Sequence, residues 1–346
     1  MNKTSIQWTW EVGTDSKLIP DSGSTWNPLK GCRRKSPGCE RCYAERLIAT
    51  RLRRLPMYQG LAAMTSHGPR FTGEHRVDPY ALDAPLRARR GRKIFVNDMG
   101  DLFYEGHTFE EIAGVYGIMA AAHWHTFQVL TKRIERAAEF YAWLEAEGRK
   151  TGAPNWRRGV HERLFFHMLA LAGGATLGPS RGRPETPEGW HDTWPLPNVW
   201  LGASVEDVPR KARIDALRPI PAVVRFLSVE PQIEDLGVVN LDGIHWVICG
   251  GESGSGARPY DLRWPRSLRD QCAAAGTAFF MKQYGRWPLV EKREATEEER
   301  RAYLKLKDGH GGDPKEWHDD LRVREFPVPF TVGKSRILRT VVEQAR

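Results

Sequence analysis

The chain has 346 residues, 40% of them hydrophobic and 27% charged, which excludes a disordered chain and is ample for a buried core. The formal net charge of +9 permits binding of nucleic acid or another polyanion, although a solvated basic face explains such a charge as well. No apolar run approaches the roughly 18–20 residues that span a bilayer, and the opening MNKTSIQWTWEVGT lacks the apolar core of a signal peptide. A cytoplasmic protein with no membrane association is therefore expected.

In chain order, a first strand is expected near residues 24–28, immediately before a group of cysteines. From about residue 90, short β-like runs alternate with helix-like segments. The runs are KIFVND (93–98), TFQVLTK (126–132), NVWLGASVE (198–206), VVRFLSVEP (223–231), HWVICGGES (245–253) and AFFMKQ (278–283). Their interiors are almost wholly apolar, which is how parallel strands buried on both faces read. The helical segments are 109–124, 133–149, 209–220 and 264–276, the last ending on a glycine as helices often do. This alternation predicts βαβ units and an α/β fold. Six or seven strands suffice for a partial (β/α)6–7 TIM-like barrel over residues 1–285, with a doubly wound open sheet as the rival. Residues 150–197, two Gly/Pro-rich stretches around RLFFHMLALAGG, read as an insertion between the third and fourth strands. Residues 286–346 read as a C-terminal extension packed on the barrel.

In α/β proteins ligands gather at the carboxyl ends of the strands, and here those ends are polar one after another. They carry Asn97, Asp98 and Asp101; Thr131, Lys132 and Arg133; Ser204 and Glu206; Ser228 and Glu230; Gly250, Gly251, Glu252 and Ser253; and Lys282 and Gln283. Parallel strands would bring all of them to one rim. Polar residues also simply cap strands, so each has a structural reading beside the functional one. The loop GGESGSGARP (250–259) offers glycine amides to an anion but matches neither the P-loop nor the full dinucleotide fingerprint.

The strongest signal is GCRRKSPGCERCYAE (31–45), a C-x6-C-x2-C arrangement of Cys32, Cys39 and Cys42. An odd total of five cysteines argues against a disulfide framework. Three thiolates in one loop can hold three irons of a [4Fe–4S] cluster and leave the fourth open. Structural zinc normally takes four protein ligands, and no histidine lies near the three cysteines, although Cys249 or a distant histidine could complete a zinc site. Cys249 itself lies within an apolar strand, where an inert buried thiol is the default. No residue stands out as a catalytic acid, base or radical-quenching thiol.

A cysteine triplet after the first strand of such a fold, followed by the aromatic Tyr43, resembles the radical S-adenosylmethionine (SAM) superfamily, although the first gap is three residues longer than the usual C-x3-C-x2-C. More closely, TWNPLKGCRRKSPGCERCYAE, IFVNDMGDLF, FQVLTKR, WLGASVED, RFLSVEP, WVICGGESGSGARP and FFMKQYG resemble the phage Gp37/Gp68 (DUF5131) family. There is a distant similarity to spore photoproduct lyase, which makes nucleic acid a plausible substrate. The resemblance implies a radical SAM barrel, a [4Fe–4S] cluster on the three cysteines, SAM as cofactor, and an external electron donor. Tyr43, Asn97, Asp98, Asp101, Thr131, Lys132, Ser204, Glu206, Glu230, Gly250, Gly251, Glu252, Ser253 and Arg258 are the expected cofactor-binding set. Within it, Lys132 or Arg258 would face the SAM carboxylate and the glutamates the ribose. Lys282 and Gln283 are expected to meet substrate. A partner protein is left open. The rival functions are a zinc-stabilised nucleic-acid-binding protein, some of whose thirteen tryptophans would stack on bases, and a nucleotide- or phosphate-binding hydrolase.

Overall fold

The computed structural model describes residues 1–13, 17–173, 185–254, 256–291, 301–327 and 339–341. Parts of the insertion (174–184) and of the C-terminal extension (292–300, 328–338 and 342–346) lie outside the described residues.

The apolar runs form the expected strands. Strand β1 (Asn2–Lys3) lies antiparallel to β2 (Ser24–Trp26). From β2 the sheet continues in parallel through β3 (Lys93–Val96), β4 (Thr126–Thr131), β5 (Val199–Ser204), β6 (Val224–Val229), β7 (Trp246–Gly250) and β8 (Ala278–Gln283). Each parallel strand pairs with the next in sequence. Helices α1 (Tyr43–Thr50), α2 (Phe109–Ala121), α3 (Ile134–Arg149), α4 (Trp156–Leu171), α5 (Ala212–Leu217) and α6 (Arg263–Ala275) lie between them. The start of α2 is fixed by a capping box, in which Thr108 accepts from the Glu111 amide and Glu111 accepts from the Thr108 amide.

Successive residues of a strand point to opposite faces, and here the two faces have different company. Ile94, Val96, Phe127, Val129, Leu201, Leu227, Val247 and Phe279 share one cluster with the buried sides of α2 to α6. Phe95, Trp200, Phe226, Trp246, Ile248 and Phe280, on the other face, pack with Trp8 and Phe326 and with no helix. Helices α2 to α6 therefore cover one face only, which is not the doubly wound arrangement. Trp8 touches Phe95 on β3 at 4.7 Å and Trp246 on β7 at 6.3 Å between ring centroids. Those strands are four steps apart, about 19 Å on a flat sheet. The sheet is rolled around Trp8. Among the described residues its edges do not pair with each other, since β1 flanks β2 and the last strand meets Arg324 through an isolated bridge. The fold is thus mixed α/β with an open, mainly parallel eight-stranded sheet. Gly202 makes room on the inner face, because a Cβ there would sit 2.4 Å from the Phe226 ring.

The insertion is part of the core. Helix α4 starts at Trp156, earlier than its apolar patch suggests, and buries Val160, Leu164 and Met168 against α2 and α3. Gly117 and Gly148 permit that approach, since a Cβ on either would come within 2.6 Å or less of α4 atoms. From the extension, Phe326 enters the inner aromatic cluster, and the Trp246 indole donates to the Glu325 carbonyl at 2.8 Å. Trp317 stacks on Tyr284 at 5.2 Å.

Trp246, fully buried at the centre of this inner cluster, should be the costliest side chain to truncate. Trp246→Ala is expected to lose about 3–5 kcal/mol in urea denaturation; a loss below about 1 kcal/mol would show that the inner cluster does not hold the sheet's curl.

Candidate functional site

The inner residues change from apolar to polar on going up each strand. Phe95 gives way to Asn97, Leu130 to Lys132, Phe226 to Ser228 and Glu230, and Ile248 to Gly250 and Glu252. On β5, Trp200 gives way to Ser204 beyond Gly202, and on β8, Phe280 to Lys282. Above the aromatic floor of Trp8 and Phe95 lies a cavity of about 490 Å³. Its walls include all three clustered cysteines, and also Tyr43, Asn97, Asp98, Asp101, Thr131, Lys132, Ser204, Glu230, Gly251, Glu252, Ser253, Lys282 and Gln283. The strand ends expected to converge on one rim do so. Gly250, Glu206 and Arg258 do not line the cavity.

Many rim charges are engaged within the protein. Asp101 accepts from the Thr131 hydroxyl (2.7 Å), the Phe103 and Lys132 amides (3.0 and 3.1 Å) and Arg133 (3.2 Å). Glu230 pairs with Lys282 at 2.5 Å. Glu252 is held by Arg258, whose guanidinium donates at 2.8 and 3.0 Å, and by Arg41 at 3.1 Å. Gln283 donates to the Gly251 carbonyl at 2.8 Å. Asp98 accepts from Asn27 at 2.6 Å, and burial raises its pKa. The Tyr43 hydroxyl donates to the Asp98 carbonyl.

Glu206 departs furthest from its expected place. Fully buried, it receives Lys132 at 2.6 Å, Arg213 at 2.7 Å and the Ser36 hydroxyl of the cysteine loop. Gly38 of the same loop lies so close that a Cβ would meet the Glu206 side chain at 2.5 Å. Glu206 is a clamp on the cysteine loop and does not face a ribose. Lys132 and Arg258 are likewise spoken for by Glu206 and Glu252, so neither is a free partner for a carboxylate.

Composition alone did not single out the rest of the clamp. Arg34 reaches back to buried Glu45, three residues past the last cysteine (2.5 Å), and Glu45 also accepts the Phe71 amide. Arg133 donates to the Arg33 carbonyl at 2.7 Å and lies 3.7 Å from the Cys32 sulfur. The signal available in the sequence was the density of cations, Arg33, Arg34, Lys35 and Arg41, among the cysteines.

Cys32, Cys39 and Cys42 are all free and half-buried. Burial raises the Cys32 pKa, with Asp101 adding to the rise and Arg133 opposing it, and burial pushes Cys42 up to about 11. Among the described residues, no three His, Cys, Asp or Glu side chains converge to hold a single metal ion. A cubane makes a different demand, because its three thiolates bind three different irons and surround a volume. Three free thiols on the wall of one cavity fit that demand. Cys249 is buried beneath the rim, 3.2 Å from both Gln232 and the Tyr260 hydroxyl, and does not line the cavity. Seven of the thirteen tryptophans, Trp8, Trp26, Trp190, Trp194, Trp200, Trp246 and Trp317, are buried and have no face for a base, whereas Trp287 is exposed.

One side chain in the cavity lacks partners of its own. Asn97 is 2% exposed, sits in the left-handed region at φ 58°, and has neither amide nitrogen nor amide oxygen hydrogen-bonded. A buried amide left this way costs about 1–3 kcal/mol.

The sequence matches the family described as "Protein of unknown function (DUF5131)" over residues 5–311. The chain belongs to the DUF5131 family. No curated protein and no solved structure matches it. The match runs from the Trp8 floor through the cysteine loop to the last rim residues, so the whole cavity lies within the DUF5131 region.

Glu206 gives a pH signature. Burial alone would raise its pKa, but Lys132 and Arg213 outweigh burial and hold it below the usual carboxylate value. A depressed carboxyl contributes stability above its unfolded pKa of about 4.3 and loses it as pH falls through the folded value. Acid unfolding of the wild type should include this loss, and Glu206→Gln should lack it. At pH 7 the variant should be less stable by about 3–5 kcal/mol, because Lys132 and Arg213 keep their charge without a counterion. Identical acid-unfolding curves would show that the clamp is not ionic.

Proposed function

We propose that this protein is an iron–sulfur enzyme of radical SAM type. The observation that carries the reading is the meeting of three free cysteines with the unpartnered amide of Asn97 in one cavity above a rolled parallel sheet. Cys32, Cys39 and Cys42 would hold a [4Fe–4S] cluster, and SAM would lie against the inner strand ends. When bound, the pair supplies one-electron cleavage of SAM and, through it, hydrogen abstraction from a substrate.

The chain's own residues have separate tasks. Glu206, Arg213, Arg34 and Glu45 hold the cysteine loop on the strand ends. Asn97 offers a donor and an acceptor to the polar end of SAM. Tyr43, the residue after Cys42, is 45% exposed and lines the cavity, where its ring can shield the ligand from water. Ser204, Ser228, Glu230, Gly251, Ser253 and Lys282 also line the cavity. The aromatic floor keeps the cavity dry from below. The sequential strand order and helices on one face agree with a partial barrel of this class. An external electron donor is implied. The zinc reading is less favoured because no three His, Cys, Asp or Glu side chains among the described residues converge on one ion, and Cys249 faces Gln232 and Tyr260 away from the cavity.

Under anaerobic reduction the wild type should release 5′-deoxyadenosine from SAM, and Cys42→Ala should release none. Asn97→Ala should keep its iron but need about tenfold more SAM, the loss of one well-placed hydrogen bond at 1.4 kcal/mol per decade. Equal SAM dependence in wild type and Asn97→Ala would remove Asn97 from the site, and no SAM cleavage by wild type loaded with iron would overturn the class.

A further inference from the structure

The segment between the cysteine loop and β3 is a distinct basic lobe. Residues 46–77 hold six arginines and a single acid, Glu74, a net of five positive charges out of the chain's nine. Not one of the cations is lysine. The lobe is built from α1 and an antiparallel hairpin, Ala62–Thr65 with Gly68–Phe71, joined through Ala44, Ile48, Ala49, Leu61 and Ala62. Arg46, Arg51, Arg53 and Arg54 are exposed, and no carboxylate lies within ion-pair distance of any of them among the described residues. Arg70 and Arg76 meet only backbone carbonyls, those of Pro69, Pro56 and Gln59. Elsewhere on the rim the cations are paired, as Lys132, Arg133, Arg258 and Lys282 show. The contrast marks the lobe as charge held for a partner.

The lobe opens directly into the cavity. Arg46, His67 and Arg70 form part of its wall. Across the mouth stands the glycine loop: the Arg46 guanidinium reaches within 4.0 Å of where a Gly254 Cβ would be, and Arg41 within 3.1 Å of the same point on Gly256. Unpaired guanidinium and glycine backbone facing each other make a seat for a phosphate. Arginine's planar fork suits phosphate oxygens better than lysine does. A flat membrane could meet the lobe but not the cavity, and a base within a duplex cannot reach an enclosed site.

We propose that the arginine lobe of residues 46–77 binds the phosphate backbone of a single-stranded nucleic acid and feeds one nucleotide past Arg46 and Gly254 into the cavity. Binding to the lobe needs no cluster. The second half, that the nucleotide is the substrate, rests on reading the cavity as a radical SAM site.

The test is fluorescence anisotropy of the full chain with a labelled 12-nucleotide single strand over a salt series, beside the matching duplex and anionic phosphatidylserine vesicles. The probe variant is Arg46→Ala/Arg51→Ala/Arg53→Ala/Arg54→Ala, all exposed positions, with its thermal midpoint measured to show that it is folded. The wild type should prefer the single strand over both duplex and vesicles. The folded variant should bind at least about tenfold more weakly, with a salt slope smaller by about 2–3, near 0.7 per lost phosphate contact. Restoring all four as lysine should recover most of the slope. Unchanged binding by the folded variant, or duplex or vesicles bound as tightly as the single strand, would overturn the proposal. SAM cleavage without oligonucleotide binding would refute this inference alone, and binding without SAM cleavage would refute the enzyme class and with it the substrate half of the inference, leaving the lobe as a binding surface.

Discussion

The site depends on one buried carboxylate. Glu206 sits at the end of β5 with no solvent contact and is held by a lysine from β4, an arginine from α5 and a serine from the cysteine loop. A buried charge is tolerated only with such partners. Because the three partners come from three other parts of the chain, the carboxylate fixes where the loop stands relative to the sheet. Asp101 does the same two strands over, after β3, joining β4 to Arg133 and through it to the Arg33 carbonyl and the Cys32 sulfur. Glu252 does it on the far side through Arg41. Three strand ends thus spend their carboxylates on holding the loop that carries the cysteines.

This division of labour follows from the pleat of the sheet. Positions two apart share a face, so each inner row can be aromatic at the bottom and polar at the top without interrupting the strand. The lower rows make a dry floor around Trp8. The upper rows supply clamps, and only a few groups remain for a ligand. Asn97 is the clearest of these because its amide has no other partner. Beside this well-paired rim, the unpaired arginines of the α1 lobe belong to the approach to the cavity.

Much of this was legible in the sequence because it rests on local pattern. The six apolar runs and the strand expected before the cysteines became seven parallel strands, and C-x6-C-x2-C put three thiols on one wall. What the sequence hid was pairing. Glu206 and Glu230 look alike, each two residues beyond an apolar core, yet one is buried under Ser36 and the other lines the cavity with Lys282. The difference lies in Arg213 and Lys132, which come from other elements and show no signature by spacing. Helix α4 was underestimated for a similar reason: its first half is rich in Arg and His, and its buried face shows only when α2 and α3 present Gly117 and Gly148 to it. Trp8, outside every strand the sequence predicts, became the axis around which the sheet rolls.

The most direct measurement is on the three thiols themselves. The protein would be purified without oxygen and reconstituted with iron and sulfide. Its metal content would be measured, and the electron paramagnetic resonance spectrum of the reduced protein recorded before and after adding SAM. The account predicts about four irons per chain, a reduced-cluster signal that changes when SAM binds the open iron, and loss of both in the triple Cys32→Ala/Cys39→Ala/Cys42→Ala protein. One zinc per chain with no iron uptake, or a cluster signal indifferent to SAM, would contradict it.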